Sequence, residues 1–279
     1  MPVKKSLPIV KSKINFNYIL MGLLIVAAFI IGSLYQKVKY LEKGGGGGVS
    51  QGQAGAGTQQ TADQQIPPEP TITLDSVKDA YKKGVIKFGK ENSKVLFIEV
   101  ADPSCPYCHI AAGHNNELNS QVGDRFKLVE DGGTYVAPVI EMKKMVDAGR
   151  AAFLWLYTNG HGNGEMGTKA LYCAFEGGKF WPVHDKLMTN EGYKLLNETV
   201  RNDKAKAKET AEFLASEFSA NEMQTCLESG KYDGRLAEDT AVASGLGVSG
   251  TPGFFINSVK YAGAYSYKDM ESAVNDALK

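Results

Sequence analysis

The stretch IEVADPSCPYC, Ile98 to Cys108, is the part of the sequence from which the fold can be inferred. It begins in an apolar, β-rich run at 94–100 and continues through a turn into Cys-Pro-Tyr-Cys. Such a run is typical of a strand that is buried on both faces. Ser104 suits a helix N-cap and Pro106 suits a first helical turn. The sequence therefore predicts a strand followed by a helix that starts at the cysteines and runs to about Gln121.

The same cysteines fit two different chemistries. Cys-x-x-Cys-His is the attachment sequence of a c-type haem, whereas Cys-x-x-Cys at a helix start after a strand is a thiol–disulfide redox centre. The context favours the dithiol, because the N-terminus of a helix stabilises a thiolate through its unpaired N–H groups and its dipole. Cys105 is predicted to be the reactive thiol, with a pKa below its ordinary value. Cys108, one turn later, is predicted to resolve mixed disulfides.

Composition and spacing argue against two other kinds of site. The 279 residues contain 31 Lys and Arg and 31 Asp and Glu, so there is no basic surplus to neutralise nucleic acid. A zinc site is disfavoured because the sequence has no second Cys-x-x-Cys, and no Cys/His pair at ligand spacing. We therefore expect no nucleic-acid partner, no metal and no cofactor.

The N-terminal quarter of the chain predicts a membrane anchor and a tether. Residues 14–36 contain no charged side chain, and their centre, Tyr18 to Leu34, has the length that a bilayer core requires. No clear small-x-small site follows, which favours an uncleaved anchor over a signal peptide. Residues 44–70 are rich in Gly, Gln and Pro, as in a flexible tether. We expect 1–43 to form a cytoplasmic tail and a transmembrane helix, and 71–279 to form one folded domain.

The predicted elements of the folded domain alternate in a way that indicates an α/β fold. Strands are predicted at 94–100, 151–157, 254–257 and near 260–264, with helices between them. The order is strand, helix, strand, a block of helices, two strands and a final helix. It predicts a mixed sheet with helices on both faces and a helical insertion at about 165–232.

Two distant motifs together resemble the DsbA-like branch of the thioredoxin superfamily. They are IEVADPSCPYC and GVSGTPGFFIN, the latter at 247–257. The resemblance covers most of 71–279 and implies a thioredoxin-like fold with an inserted helical domain. It implies a cis peptide bond before Pro252, close to the dithiol. The residues expected to bind substrate are Pro106, Tyr107, Thr251 and Pro252.

One segment departs from the family pattern. VGDRFKLVEDGGTYV, residues 122–136, is predicted to be an extra segment between the active-site helix and the next helix. Its effect on the shape of the active site does not follow from the sequence.

The resemblance also assigns a role to Glu99, six residues before Cys105. Related oxidoreductases keep a buried carboxyl there for proton transfer to the resolving cysteine, and burial would raise the pKa of such a group. The alternative is a glutamate at a strand end that reaches water. His109 has two open interpretations as well: it influences Cys105, or it faces solvent.

Cys173 and Cys226 lie on separate predicted helices of the insertion. We expect them to form a structural disulfide, which an oxidising compartment favours; the alternative is two ordinary buried thiols. Neither is expected to be catalytic.

These inferences predict a thiol–disulfide oxidoreductase that introduces disulfides into extracytoplasmic proteins with free thiols. It would be a monomer with a single-pass anchor, and a membrane quinone-linked reoxidase would restore its disulfide. A disulfide isomerase or thiol reductase could use the same dithiol, and a c-type cytochrome is the remaining alternative. A dithiol oxidase has little stable work in a reducing compartment, so the folded domain is expected outside the cytoplasm.

Overall fold

A computed structural model describes residues 71–279 of the chain. The predicted transmembrane span, Tyr18 to Leu34, and the predicted tether at 44–70 lie outside these residues. Within 71–279, no helix combines the length and the apolar character needed to cross a bilayer.

A mixed sheet forms the centre of the described domain. Its strands are β1 (Ile86–Phe88), β2 (Val95–Ala101), β3 (Ala151–Tyr157), β4 (Gly253–Ile256) and β5 (Val259–Ala262). They are arranged in the order β1-β3-β2-β4-β5, in which β2 and β3 are parallel and the other neighbours are antiparallel. Since parallel strands need a crossover connection, the helices between 106 and 147 provide it.

Helices and short helical turns connect and cover these strands. The helices are α1 (Leu74–Lys83), α2 (Pro106–Ala112), α3 (Asn116–Gln121), α4 (Pro138–Asp147), α5 (Glu165–Glu176), α6 (Phe180–Leu187), α7 (Asn190–Lys194), α8 (Ala207–Phe213), α9 (Ala220–Glu228), α10 (Arg235–Gly245) and α11 (Tyr267–Leu278). A π-helix (Leu195–Val200) follows α7, and 3-10 turns occur at Asp124–Phe126, Val129–Asp131 and Lys204–Lys206. The elements α5 to α9 occupy the chain between β3 and α10.

Strand β2 is buried on both faces, as its apolar sequence predicts. Side chains alternate along a strand, so Leu96, Ile98 and Val100 share one face, where they pack with α1 and α10. The opposite face carries Phe97 and Ala101 and packs with α2, α4, α11 and the insertion. The helix with the cysteines therefore lies on the same side of the sheet as the insertion.

The active-site helix is shorter than the sequence predicts. It ends at Ala112 rather than near Gln121, because Gly113 adopts a left-handed conformation with φ of 76°. A Cβ at Gly113 would lie 2.4 Å from the Cβ of Ala137, so the close approach of α4 also requires glycine here. The chain then starts α3, where the side chain of Asn115 accepts a hydrogen bond from the backbone N–H of Leu118.

Cys173 of α5 and Cys226 of α9 are joined by a disulfide in the structure. Their Cα atoms are 6.2 Å apart, and 53 residues separate them in sequence. Closing a loop of this length contributes about 4 kcal/mol to the free energy of unfolding in the chain-entropy model. The bond joins two helices of the insertion, whereas Cys105 and Cys108 are free thiols at the start of the helix after β2.

Candidate active site

The two remaining cysteines lie at the start of α2, directly after β2. Cys105 is the N-cap of the helix and Pro106 is its first residue. Cys105 is 4% exposed, and Cys108 is completely buried. The Cys105 Sγ lies 3.5 Å from the carbonyl oxygen of Thr251, and the Cys108 Sγ accepts a hydrogen bond from the backbone N–H of Asp102 at 3.5 Å. Access to the dithiol is therefore through Cys105.

The two thiols have pKa shifts in opposite directions. The pKa of Cys105 is lowered from 9.0 to about 6, chiefly because Cys108 donates a hydrogen bond to its sulfur. Partial burial opposes this shift, while Thr251 and the backbone N–H groups of Tyr107 and Cys108 assist it. The pKa of Cys108 is raised well above 9.0, first by burial and then by the hydrogen bond that it donates. At pH 7 the reduced site therefore has a thiolate at Cys105 and a thiol at Cys108.

Glu99 is a buried carboxyl beside this pair. Strand alternation places it on the face of β2 that carries Phe97 and Ala101, toward the cluster that contains both cysteines. It is fully buried, and neither carboxyl oxygen has a hydrogen-bond partner among residues 71–279, so the interpretation of a glutamate that reaches water is wrong. Burial raises its pKa to about 8, and its charge is among the causes that raise the pKa of Cys108. At pH 7 Glu99 thus retains a proton.

The loop before β4 covers the dithiol from the other side. Its Thr251–Pro252 peptide bond is cis, and Pro252 is buried. Gly253, the first residue of β4, pairs with Val100 near the end of β2, which brings the loop against Cys105. A Cβ at Gly160 would lie 1.8 Å from the Thr251 hydroxyl oxygen, so the loop after β3 approaches this closely only with glycine.

A buried aspartate, which the sequence analysis did not single out, holds the active-site loop. Asp102 Oδ1 accepts hydrogen bonds from the backbone N–H and the hydroxyl of Ser104, at 2.8 and 2.6 Å. Its Oδ2 accepts from the backbone N–H groups of Gly160 and His161, at 2.8 and 2.9 Å. Ser104 is therefore not the N-cap; its hydroxyl also accepts from the backbone N–H of Asn163 at 3.1 Å. Asp-Pro-Ser after a strand is an Asx-turn signal that could have identified this residue.

His109 connects α2 to the insertion. It is fully buried, so the interpretation of a solvent-facing histidine is wrong. Its Nδ1 lies 2.9 Å from the carbonyl oxygen of Met188, and its Nε2 lies 2.8 Å from that of Pro103. Burial lowers its pKa to about 4. Because both ring nitrogens contact backbone carbonyls, neither is free to bind a haem iron, and the c-type haem interpretation loses its axial ligand.

Tyr107, between the cysteines, is 41% exposed beside the buried sulfurs. Its ring packs edge-on against Phe126, with centroids 5.9 Å apart. The residues with an expected substrate role, Pro106, Tyr107, Thr251 and Pro252, thus lie on the two chain segments that flank Cys105.

Comparisons with known proteins agree with this fold. Residues 141–276 match the family model described as Thioredoxin. Oxidised BdbD from Bacillus subtilis superposes with a TM-score of 0.51 at 17% identity, over 71% of this chain and 94% of that one. A single-substitution variant of alpha-DsbA1 from Wolbachia pipientis superposes with a TM-score of 0.52 at 16% identity, over 72% of this chain and 96% of that one.

Among curated proteins, this chain is similar to a part of two much longer proteins. The Na(+)/H(+) antiporter NhaA 3 of Salinispora tropica is 26% identical over 193 residues, which are 68% of this chain. The chain covers 24% of the length of that antiporter, and a second antiporter, NhaA 1 of Salinispora arenicola, is covered to the same extent at 24% identity.

The described domain therefore has a thioredoxin-like fold, and the Thioredoxin family model matches its C-terminal part, residues 141–276. Helices α5 to α9 interrupt this fold, and a Cys-Pro-Tyr-Cys dithiol begins α2. A dithiol with opposed pKa shifts at the start of a helix is chemically suited to thiol–disulfide exchange.

Proposed function

We propose that this protein is an oxidase that introduces disulfides into extracytoplasmic proteins through the Cys105–Cys108 pair. The observation that carries the proposal is the lowered pKa of Cys105 next to the raised pKa of Cys108. A stabilised Cys105 thiolate favours the reduced form of the pair, and a pair with a stable reduced form is a strong oxidant.

The first step would be attack on the disulfide form of the pair. A substrate thiolate attacks the Cys105 sulfur, forms a mixed disulfide with it, and breaks the Cys105–Cys108 bond. Cys108 leaves with the electron pair of that bond and needs a proton, because its thiolate is disfavoured by burial. Glu99 is the proton donor, since it is protonated at pH 7 and lies on the same face of the sheet as both cysteines.

The second step would release the oxidised substrate. A second substrate thiolate attacks the substrate sulfur of the mixed disulfide, and Cys105 leaves as a thiolate. Its low pKa makes it a good leaving group near neutral pH. The substrate has lost two electrons and the pair has gained them, so an acceptor must reoxidise the pair. We propose a membrane quinone-linked reoxidase for that step, with the protein acting as a monomer.

The reduction potential of the Cys105–Cys108 pair tests whether the protein acts as an oxidase or as a reductase. We expect equilibrium with glutathione buffers to give a potential above about −180 mV, toward the oxidising end of the range for this superfamily. Alkylation of the free thiols, followed by mass measurement, reports the reduced fraction at each buffer ratio. A potential below about −230 mV would instead indicate a thiol reductase.

Location is a separate proposal. The Cys173–Cys226 disulfide supports an oxidising compartment, because structural disulfides are rare in reducing ones. We propose that residues 18–34 anchor the chain and that the folded domain lies outside the cytoplasm. Protease added to intact spheroplasts is then expected to digest the domain. Protection until the cells are lysed would contradict this location.

A further inference from the structure

A groove of about 500 Å³ opens beside Cys105. Two of its residues, Tyr107 and Thr251, flank the reactive sulfur. The opposite wall comes from the loop after β5 and from the start of α11, and the remaining wall comes from residues 122–136. The full lining is Tyr107, Arg125, Phe126, Tyr135, Thr251, residues 262–266 and Asp269.

The segment 122–136 is a fixed wall of this groove. Phe126 and Tyr135 are buried and pack edge-on with centroids 5.6 Å apart, in a small cluster with Ile110 of α2. The Tyr135 hydroxyl donates to the carbonyl of Tyr265 at 3.3 Å. The backbone N–H of Val136 donates to the Ser266 hydroxyl at 3.0 Å. The segment thus packs against the active-site helix and is hydrogen-bonded to the loop opposite.

The groove offers exposed aromatic surface next to the sulfur. Tyr107 is 41% exposed and Tyr265 is 46% exposed, and both line the groove. Aromatic rings of this kind bury large apolar area at low entropic cost when a partner covers them. Two exposed rings in one groove therefore offer contact surface to an apolar side chain of a bound segment.

The two charged residues of the groove, Asp269 and Arg125, differ in whether another described residue stabilises their charge. Asp269 lies in the first turn of α11 and accepts a hydrogen bond from the backbone N–H of Ser266 at 3.2 Å, so its charge is already stabilised. Arg125 is exposed, lies 4.4 Å over the ring of Phe126, and forms no ion pair with any described residue. The acidic residues of the segment, Asp124, Glu130 and Asp131, do not line the groove. Arg125 is therefore a cation that lines the groove without an anionic partner among the described residues.

We propose that the 122–136 segment selects substrates: it favours extended thiol-bearing segments with an acidic residue close to the reacting cysteine. The carboxylate pairs with Arg125, and an adjacent apolar side chain packs between Tyr107 and Tyr265. The inference rests on the proposed function, because it concerns the protein substrates of that same dithiol. An extended segment advances roughly 3.3 Å per residue, so three positions on either side of the reacting cysteine span roughly 10 Å of the groove in each direction.

Matched peptides test the selection. Reduced two-cysteine peptides carry Glu, Gln or Lys at each of the three positions on either side of one cysteine, beside a leucine. We expect the oxidised protein to react fastest with a Glu peptide, about threefold to tenfold faster than with the matching Lys peptide at low salt. Arg125→Glu is expected to reverse this order. A small dithiol serves as the reference substrate for the wild-type protein, because it carries no charged side chain for the groove to select.

Control variants distinguish the effect of groove residues on peptide rates from the effect of the same change elsewhere on the surface. Arg150→Glu makes the same charge change at an exposed arginine outside the groove that forms no described ion pair, and it is expected to keep the wild-type order. Tyr265→Ala is expected to slow leucine peptides about fivefold, whereas Val259→Ala, at a residue 45% exposed on β5, is expected to have no effect. Equal rates for Glu and Lys peptides, with normal oxidation of the small dithiol, would overturn the selection alone. Failure to oxidise even the small dithiol would overturn the proposed function and the selection with it.

Discussion

Cys105→Ser is expected to reduce the rate of peptide oxidation by at least about a thousandfold, because it removes the sulfur that the substrate attacks. Cys108→Ser is expected to trap an intermediate of the reaction. It leaves a reactive thiolate at Cys105 without a resolving thiol, so a mixed disulfide with an oxidised peptide should accumulate. Non-reducing gels and intact mass of the two variants measure the difference.

The pH dependence of alkylation identifies the reactive sulfur in the reduced wild-type protein. The pKa of Cys105 is about 6, so its reaction with iodoacetamide is expected to rise between about pH 5 and 7 and then level off. Cys108 should stay unmodified over this range, since its pKa is well above 9.0 and it is buried. The Cys173→Ala/Cys226→Ala double variant is the control. It should keep the same alkylation profile, because neither Cys173 nor Cys226 is among the groups that shift the pKa of Cys105. Earlier modification of Cys108, or a Cys105 midpoint near 9.0, the ordinary value, would contradict the assignment.

The sequence predicts the centre of this site because its parts depend on short-range patterns. An apolar run followed by Cys-Pro-Tyr-Cys is enough to place Cys105 at a helix start after a buried strand. Helix α1 also has a local sequence signal, although the sequence analysis above does not predict it. Thr73 caps this helix, and Val77, Ala80 and Tyr81 form its buried face at helical spacing.

Other parts of the site depend on contacts between distant residues. The partners of Asp102 on the loop after β3 lie 58 and 59 residues away, and no local pattern indicates that a loop will bring its N–H groups to this carboxylate. Likewise, the 122–136 segment has no helical or strand periodicity. Its shape follows from packing on Ile110 and bonding to the loop after β5. Both contacts exist only once the fold is formed.

Glu99→Gln is expected to change the pH dependence of stability. In the unfolded chain the carboxyl of Glu99 ionises near 4.5, whereas in the folded protein it holds its proton to about pH 8. Between these values the unfolded state binds fewer protons than the folded state, so Glu99 makes the protein less stable as pH rises. At about pH 7 this penalty is on the order of 3 kcal/mol, from about 1.36 kcal/mol per unit of pKa difference. The Gln variant lacks it.

Denaturant unfolding of the wild type and Glu99→Gln from about pH 4.5 to 8 measures this penalty as the difference between their free energies of unfolding. The lowered pKa of Cys105 acts in the opposite direction, adding stability as pH rises above about 6. That contribution is present in both proteins and cancels when one curve is subtracted from the other. The advantage of Glu99→Gln should therefore grow steadily with pH. A difference that stays constant across this range would contradict a protonated Glu99.

The same substitution is expected to slow oxidation, although it stabilises the fold at neutral pH. The amide cannot supply the proton that Cys108 needs as it leaves, so the rate of mixed-disulfide formation at neutral pH should fall by roughly tenfold to a hundredfold. Glu99→Asp retains a carboxyl and should recover part of the rate. In the wild type, the rate at a fixed concentration of substrate thiolate should decline as pH rises through about 8, where Glu99 loses its proton. That decline should be absent in Glu99→Gln. Stopped-flow measurement with one peptide gives both profiles, and parallel profiles would mean that Glu99 is buried beside the dithiol without transferring a proton to it.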